Sequence, residues 1–305
     1  MQLRGFSGTS NRVFDFISLW ILPTGYFLLL CALFFLPGRS LHHKLFYGLF
    51  SIPTLIALCL RPRELRELLR EPIFIAALLF AAWALLSLAW GPGGEPLGGM
   101  FKPPLHTLLL FAGSYLLVRY RADILQPLLF GAALVALIAT TIFLFMFARI
   151  YEPGMRLIGG GAFDNPLLSS HLFGFFSAYW LSVTMTCKRR QTMWPSVPAM
   201  AVMFMAVIGT GSRTPLVALT MAALWLCFIC WNRRSVGLLI ALALSGATVL
   251  TLFAQMIIER GDSYRLEIWQ KVLHMIADHP WIGHGYSASL SVDPGNGVSF
   301  QEPHS

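Results

Sequence analysis

Apolar runs of membrane length recur along almost the whole chain, separated by short breaks rich in charge, proline or glycine. About 20 helical residues cross a ~30 Å hydrocarbon layer. On that measure nine spans are predicted, over residues 16–36, 45–60, 73–90, 105–118, 124–147, 167–187, 194–208, 215–231 and 235–258. Arg119, Arg121 and Asp123 separate the fourth span from the fifth. Beyond residue 258 the pattern changes to a polar stretch holding one amphipathic helix, 263–278. Asp262 or Ser263 can cap it, and Pro280 with Gly283 ends it. Ile268, Trp269, Val272, Leu273 and Ile276 fall on one stripe, with Arg265 one turn earlier on the same face. Two placements follow from that pattern. Either the helix lies against the bundle with its cation inward, or it rests at the interface with its arginine among lipid headgroups. The expected fold class is all-α, a polytopic membrane helix bundle over residues 1–258. Residues 259–305 begin a long outer loop.

Composition closes off the alternatives. Hydrophobic residues fill 56% of the 305 positions and charged ones 12%, more apolar surface than a soluble domain can bury. The five cysteines, Cys31, Cys59, Cys187, Cys227 and Cys230, lie in or beside apolar runs, so no disulfide framework is indicated. Cys227 and Cys230 form a CxxC inside a predicted span, where small apolar filling is the expected role. The net charge of +8 is spread over short loops and does not point to nucleic acid. With the N-terminus inside, thirteen of the 22 Lys and Arg fall in cytoplasmic loops, against five of the 14 acidic residues. The first apolar run is of spanning length and lacks a small-residue cleavage site, so it is expected to remain as a helix. This orientation puts residues 91–104, 148–166, the turn at 209–213 and residues 259–305 on the far, periplasmic side. No phosphate-binding glycine motif for a nucleotide appears on the inner side. A reaction on the outer face must then draw on an already activated substrate.

The polar chemistry gathers in those outer segments. Arg213 closes the turn Gly209-Thr210-Gly211-Ser212-Arg213 between two almost uncharged runs. A charge at bilayer depth costs roughly 2.5–3.5 kcal/mol, so its presence there calls for a task. A lipid-linked phosphate would supply one. Arg156 precedes Gly159-Gly160-Gly161, whose backbone N–H groups are free of side-chain hindrance and able to turn toward an anion. Arginine suits pyrophosphate because its planar fork donates two hydrogen bonds at once. All eight histidines, His42, His43, His106, His171, His274, His279, His284 and His304, fall on the outer side, and a neutral imidazole can take a proton from a sugar hydroxyl. Spacing does not choose among them. Their scatter, without paired ligand spacing, predicts no metal site.

Three stretches resemble a known family. Gly211-Ser212-Arg213-Thr214-Pro215 looks like its first signature. Tyr264-Arg265-Leu266-Glu267-Ile268-Trp269, followed by His279-Pro280-Trp281-Ile282-Gly283-His284-Gly285, looks like its second. The loop from Arg156-Leu157 to Asn165-Pro166 is similar to one preceding both. Together they resemble the O-antigen ligase and polymerase superfamily, over roughly residues 150–304. The resemblance implies a glycosyltransferase C-type bundle working without metal, nucleotide or other cofactor. It would move a glycan from undecaprenyl pyrophosphate to a lipid A core acceptor at the periplasmic face of the inner membrane. By the same resemblance Arg213 and Arg265 hold the donor pyrophosphate, with Arg156, Gly159, Gly160, Gly161 and Ser212 in support. His304, in Glu302-Pro303-His304-Ser305, would be the base acting on the acceptor hydroxyl. Family members complete the loop and add further spanning helices, so the chain is expected to be a fragment ending within the loop. A polymerase of the same superfamily and a protein O-oligosaccharyltransferase are the nearest alternatives. A transporter or flippase would show a two-half repeat and mid-helix charge, which this sequence lacks, and a structural scaffold would leave the outer arginines without a task.

Overall fold

The computed structural model describes residues 9–92, 97–152, 154–161, 165–187, 190–231, 233–240, 244 and 265–288. Every regular element among them is helical. Asn11–Phe35, Ser40–Leu60, Pro72–Ala89 and Gly98–Ile150 are long and apolar enough to cross a membrane, and Trp194–Gly209 and Arg213–Ile229 are shorter apolar helices. The chain is a polytopic helical membrane protein. Inside such helices a polar side chain must find a partner locally, because the hydrocarbon offers none. Ser18, Thr54, Ser177 and Thr184 each donate to the carbonyl four residues back, Phe14, Phe50, Phe173 and Trp180 respectively, at 2.7–2.8 Å.

Two compact units divide the chain, Met1–Leu60 with Gly113–Ala247, and Arg61–Ala112 with Thr248–Ser305. In the first, Thr9–Phe16 and Leu22–Phe35 are joined by a π-turn at Ile17–Ile21, and Arg39–Phe46 and Ile52–Leu60 by another at Tyr47–Ser51. Its core sets Ala132, Ala133, Ala136 and Ala139 beside Phe173, Phe176 and Trp180, with Met203 and Val207 from the next helix. Helices in lipid gain little from excluding water, so close approach through small residues matters most, and the alanine stripe provides it. The predicted division between the fourth and fifth spans falls where the helical run Leu97–Ile150 breaks, at Arg121 with φ −138° and ψ 41°. Arg121 donates to the Leu19 carbonyl at 2.8 Å and to Asp123 at 3.2 Å, so the charges that mark the break also hold it.

The first unit has two polar ends. At one, Gly38 N–H donates to Gly161 O, and residues 156–157 meet the turn at 209–211. At the other, Arg234 donates to the carbonyls of Thr184 and Cys187 at 2.9 and 2.7 Å, closing the C-terminus of the Pro166–Thr186 helix. Arg213–Ile229 runs from the first end to the second. The predicted alternation of spans requires this grouping of turns. Most of the ninth predicted span, 235–258, lies outside the described residues; 233–240 are helical.

In the second unit, a short helix Pro62–Leu68 precedes Pro72–Leu86, which ends in a 3-10 turn at Ser87–Ala89. The break between the second and third predicted spans, 61–72, thus holds a helix. The amphipathic helix forms as Arg265–Asp278. Its stripe is uncovered, with Trp269 51%, Leu273 64% and Ile276 52% exposed, so it does not pack into a bundle among the described residues. The turn that follows is fastened elsewhere. Tyr286 N–H donates to Ser87 Oγ at 2.9 Å and Ser287 Oγ to Pro92 O at 2.9 Å. Gly285, at φ +90°, lies so close to Gly91 that a Cβ on it would overlap the Gly91 backbone.

Candidate functional site

The site is assembled in the first unit from two turns far apart in sequence. Ala206 and Val207 are fully buried and end an apolar helix, after which Thr210 N–H still reaches Ala206 O at 3.1 Å. Gly211, at φ +64°, then reverses the chain, a conformation costly for any residue with a Cβ. Thr210 holds this reversal from within. Its hydroxyl donates to Val207 O at 2.7 Å and accepts Ser212 N–H at 3.3 Å, and the residue is fully buried.

Arg156 and Leu157 clasp that turn at two points. Leu157 N–H donates to Gly209 O at 2.8 Å, and the Leu157 side chain is buried in the core. The guanidinium Nε of Arg156 donates to Thr210 O at 2.6 Å. A Cβ on Gly211 would lie 3.4 Å from that Nε, so the arginine runs along the glycine's open face. Nε is occupied, and no other partner of this guanidinium is found among the described residues. Its terminal nitrogens remain available as donors.

Arg213 follows two residues later as the first residue of the Arg213–Ile229 helix. It is exposed, and among the described residues its guanidinium has no ion pair or hydrogen bond. Ser212, only 4% exposed, occupies the cap position without a side-chain bond to the first turn. The N–H groups of Arg213 and Thr214 thus receive no side-chain cap from Ser212, Pro215 has none to offer, and the positive end of the helix dipole lies at this turn. Two guanidinium groups and a helix N-terminus thus border one turn. This arrangement can hold a phosphate or pyrophosphate.

The three glycines are closely surrounded in the structure. Gly159 N–H donates to Ser169 Oγ at 2.8 Å, so it is not offered to an anion. A Cβ on Gly160 would strike the Phe143 ring, and one on Gly161 would strike the backbone of Leu33 and Phe34. They let the loop pass between helices, and Asn165 then caps the next one by accepting Leu167 N–H at 2.8 Å. Arg265 begins the amphipathic helix of the second unit, and His304 lies outside the described residues. His284 has a structural task. Its Nε2 is 2.7 Å from Met275 O and its ring meets that of His279 edge-on, 4.7 Å between centroids. Among the described residues no three His, Cys, Asp or Glu side chains gather as a metal site. Thr210 is the participant that sequence reasoning missed; a threonine set between two glycines after an apolar run was its trace.

Residues 198–305 match the family model described as O-antigen ligase. The chain is also 39% identical over 289 residues to the O-antigen ligase of Pseudomonas aeruginosa, an alignment covering 94% of this chain and 71% of that protein. The chain belongs to the O-antigen ligase family. As a member of it, the chain is a ligase of the glycosyltransferase type, working in a membrane within lipopolysaccharide biosynthesis on glycan donor and acceptor substrates. The family model takes in Arg213 and Arg265, whereas Arg156 lies before the matched residues. No solved structure matches the chain.

Proposed function

We propose that this O-antigen ligase family member transfers a glycan from undecaprenyl pyrophosphate to a lipid A core sugar, by an inverting, metal-independent route at the periplasmic face of the inner membrane. The acceptor oxygen attacks the anomeric carbon, forming the new glycosidic bond. The bond from that carbon to the pyrophosphate oxygen breaks, and its electron pair leaves with the undecaprenyl pyrophosphate. Charge grows on the departing group, and Arg213, the adjoining helix N-terminus and Arg156 stabilise it; such pre-aimed donors are the usual source of rate in group transfer. Arg265 completes the clamp on the donor, and His304 takes the proton of the acceptor hydroxyl. Energy comes from the donor's own activated linkage.

One observation carries the reading: Arg156 is anchored through Nε to Thr210 O, beside the turn that presents Arg213. That cation is thereby held in place before any anion arrives, which lowers the ordering cost of binding it. In the intact protein, Arg213→Ala is expected to lower the transfer rate about 100-fold or more, the usual loss for one such donor. Gel profiles of lipopolysaccharide would then show core without long chains. Normal long-chain lipopolysaccharide from a folded Arg213→Ala variant would overturn the proposal.

A further inference from the structure

The second unit contains an apolar groove of about 340 Å³ that the transfer reading does not use. Ala77, Ala81 and Ala84 form one wall, and Pro104, Thr107 and Phe111 stand on the other. Tyr286 stands at the end marked by Ala84, since its own N–H is bonded to Ser87. The three alanines recur at helical spacing on Pro72–Leu86, and their small side chains make the hollow. From Ala84 to Ala77 the groove descends roughly 10 Å at ~1.5 Å per residue. That is most of one leaflet's share of a ~30 Å hydrocarbon layer. The same helix leaves Ile73 and Leu79 at least 64% exposed, and Phe80, which also lines the groove, 75%, so its outer surface is the kind that meets lipid.

We infer that this groove seats one acyl chain of a bilayer phospholipid, with the lipid's glycerol and phosphate at the level of Tyr286. The charges decide for a phospholipid over a pyrophosphate lipid. Among the described residues no charged side chain lines the groove, so a doubly charged head finds no arginine fork among them. Lys102, exposed and directly before Pro103 of the groove wall, offers a single ammonium that matches a single phosphodiester charge. A tyrosine at that depth suits the ester level, where one end of the ring is dry and the hydroxyl wet. The seated chain fills the space beneath the turn at 283–288.

The test uses the intact protein in nanodiscs made with phosphatidylethanolamine carrying a diazirine in its acyl chain. After irradiation, peptide mapping is expected to find adducts concentrated within residues 77–84 and 103–111. Ala81→Trp, which fills the hollow, should lower those adducts roughly tenfold, about what losing ~1.4 kcal/mol of seating would produce. Labelling of other lipid-facing helices should stay constant. Thr107→Phe fills the groove from the opposite wall and should do the same if Ala81→Trp fails to fold, while Lys102→Gln should weaken labelling several-fold. Adducts spread evenly over the lipid-facing helices, or unchanged by both filling variants, would overturn the inference. So would displacement of the probe by an equal amount of undecaprenyl phosphate.

Discussion

Thr210 makes four bonds at once, through its N–H to Ala206, through its hydroxyl to Val207 and Ser212 and through its carbonyl to Arg156. A guanidinium fixed through Nε keeps both terminal nitrogens for a ligand, which an ammonium on a flexible stem cannot imitate. Arg156→Lys is therefore expected to behave like Arg156→Ala, each lowering transfer about 10-fold or more. Rates with a purified donor and acceptor check this, and full activity of the lysine variant would remove Arg156 from the clamp. Arg213 was legible in the sequence because a charge bordering an uncharged run stands out, and Arg156 because it stands beside three glycines. The bond that ties Arg156 to the 209–213 turn was not, since Arg156 and Thr210 are 54 residues apart and nothing local links them. The close packing around the glycines was hidden for a related reason. A flexible backbone announces room to turn, and the Ser169 hydroxyl and Phe143 ring that occupy that room come from other segments.

Among the elements, the turn at 283–288 is fastened through backbone contact between Gly285 and Gly91 and through the Ser87 and Ser287 hydroxyls. An alanine at position 285 would carry a left-handed φ, costing about 1–2 kcal/mol, and would also overlap Gly91. Gly285→Ala is expected to release the turn, with faster hydrogen exchange and proteolysis around Trp281–Tyr286 while the Pro166–Ile229 region stays protected. Unchanged exchange there would show that the turn is held by other means. The amphipathic helix, and the break at Arg121, could be read from periodicity and charge. The π-turns at Ile17–Ile21 and Tyr47–Ser51 could not, because apolar residues fill a widened helical turn as readily as a regular one. Nor could the uncovered stripe of Trp269, Leu273 and Ile276 be told from a buried one, since both need the same apolar residues.

Taken as a whole, the chain's class was the most legible property, because a bilayer admits few ways to satisfy a backbone and long apolar runs select the helix. Sidedness is an expectation from the loop charges and is open to direct measurement. In a cysteine-free background, Met155→Cys is expected to react with an impermeant maleimide on intact spheroplasts, and Arg63→Cys only after permeabilisation. Both positions are exposed, at 44% for Met155 and 87% for the Arg63 side chain, so the reverse pattern would invert the topology. The fastenings of the first unit bear on how it is made. Arg156 waits for Thr210, and Cys187 waits for Arg234, 47 residues later. On a ribosome adding about 5–20 residues per second, each earlier segment spends seconds in the membrane before its anchor is synthesised. A nascent chain halted short of Thr210 would carry the Arg156 loop without its latch, a state that translocon-associated quality control could recognise.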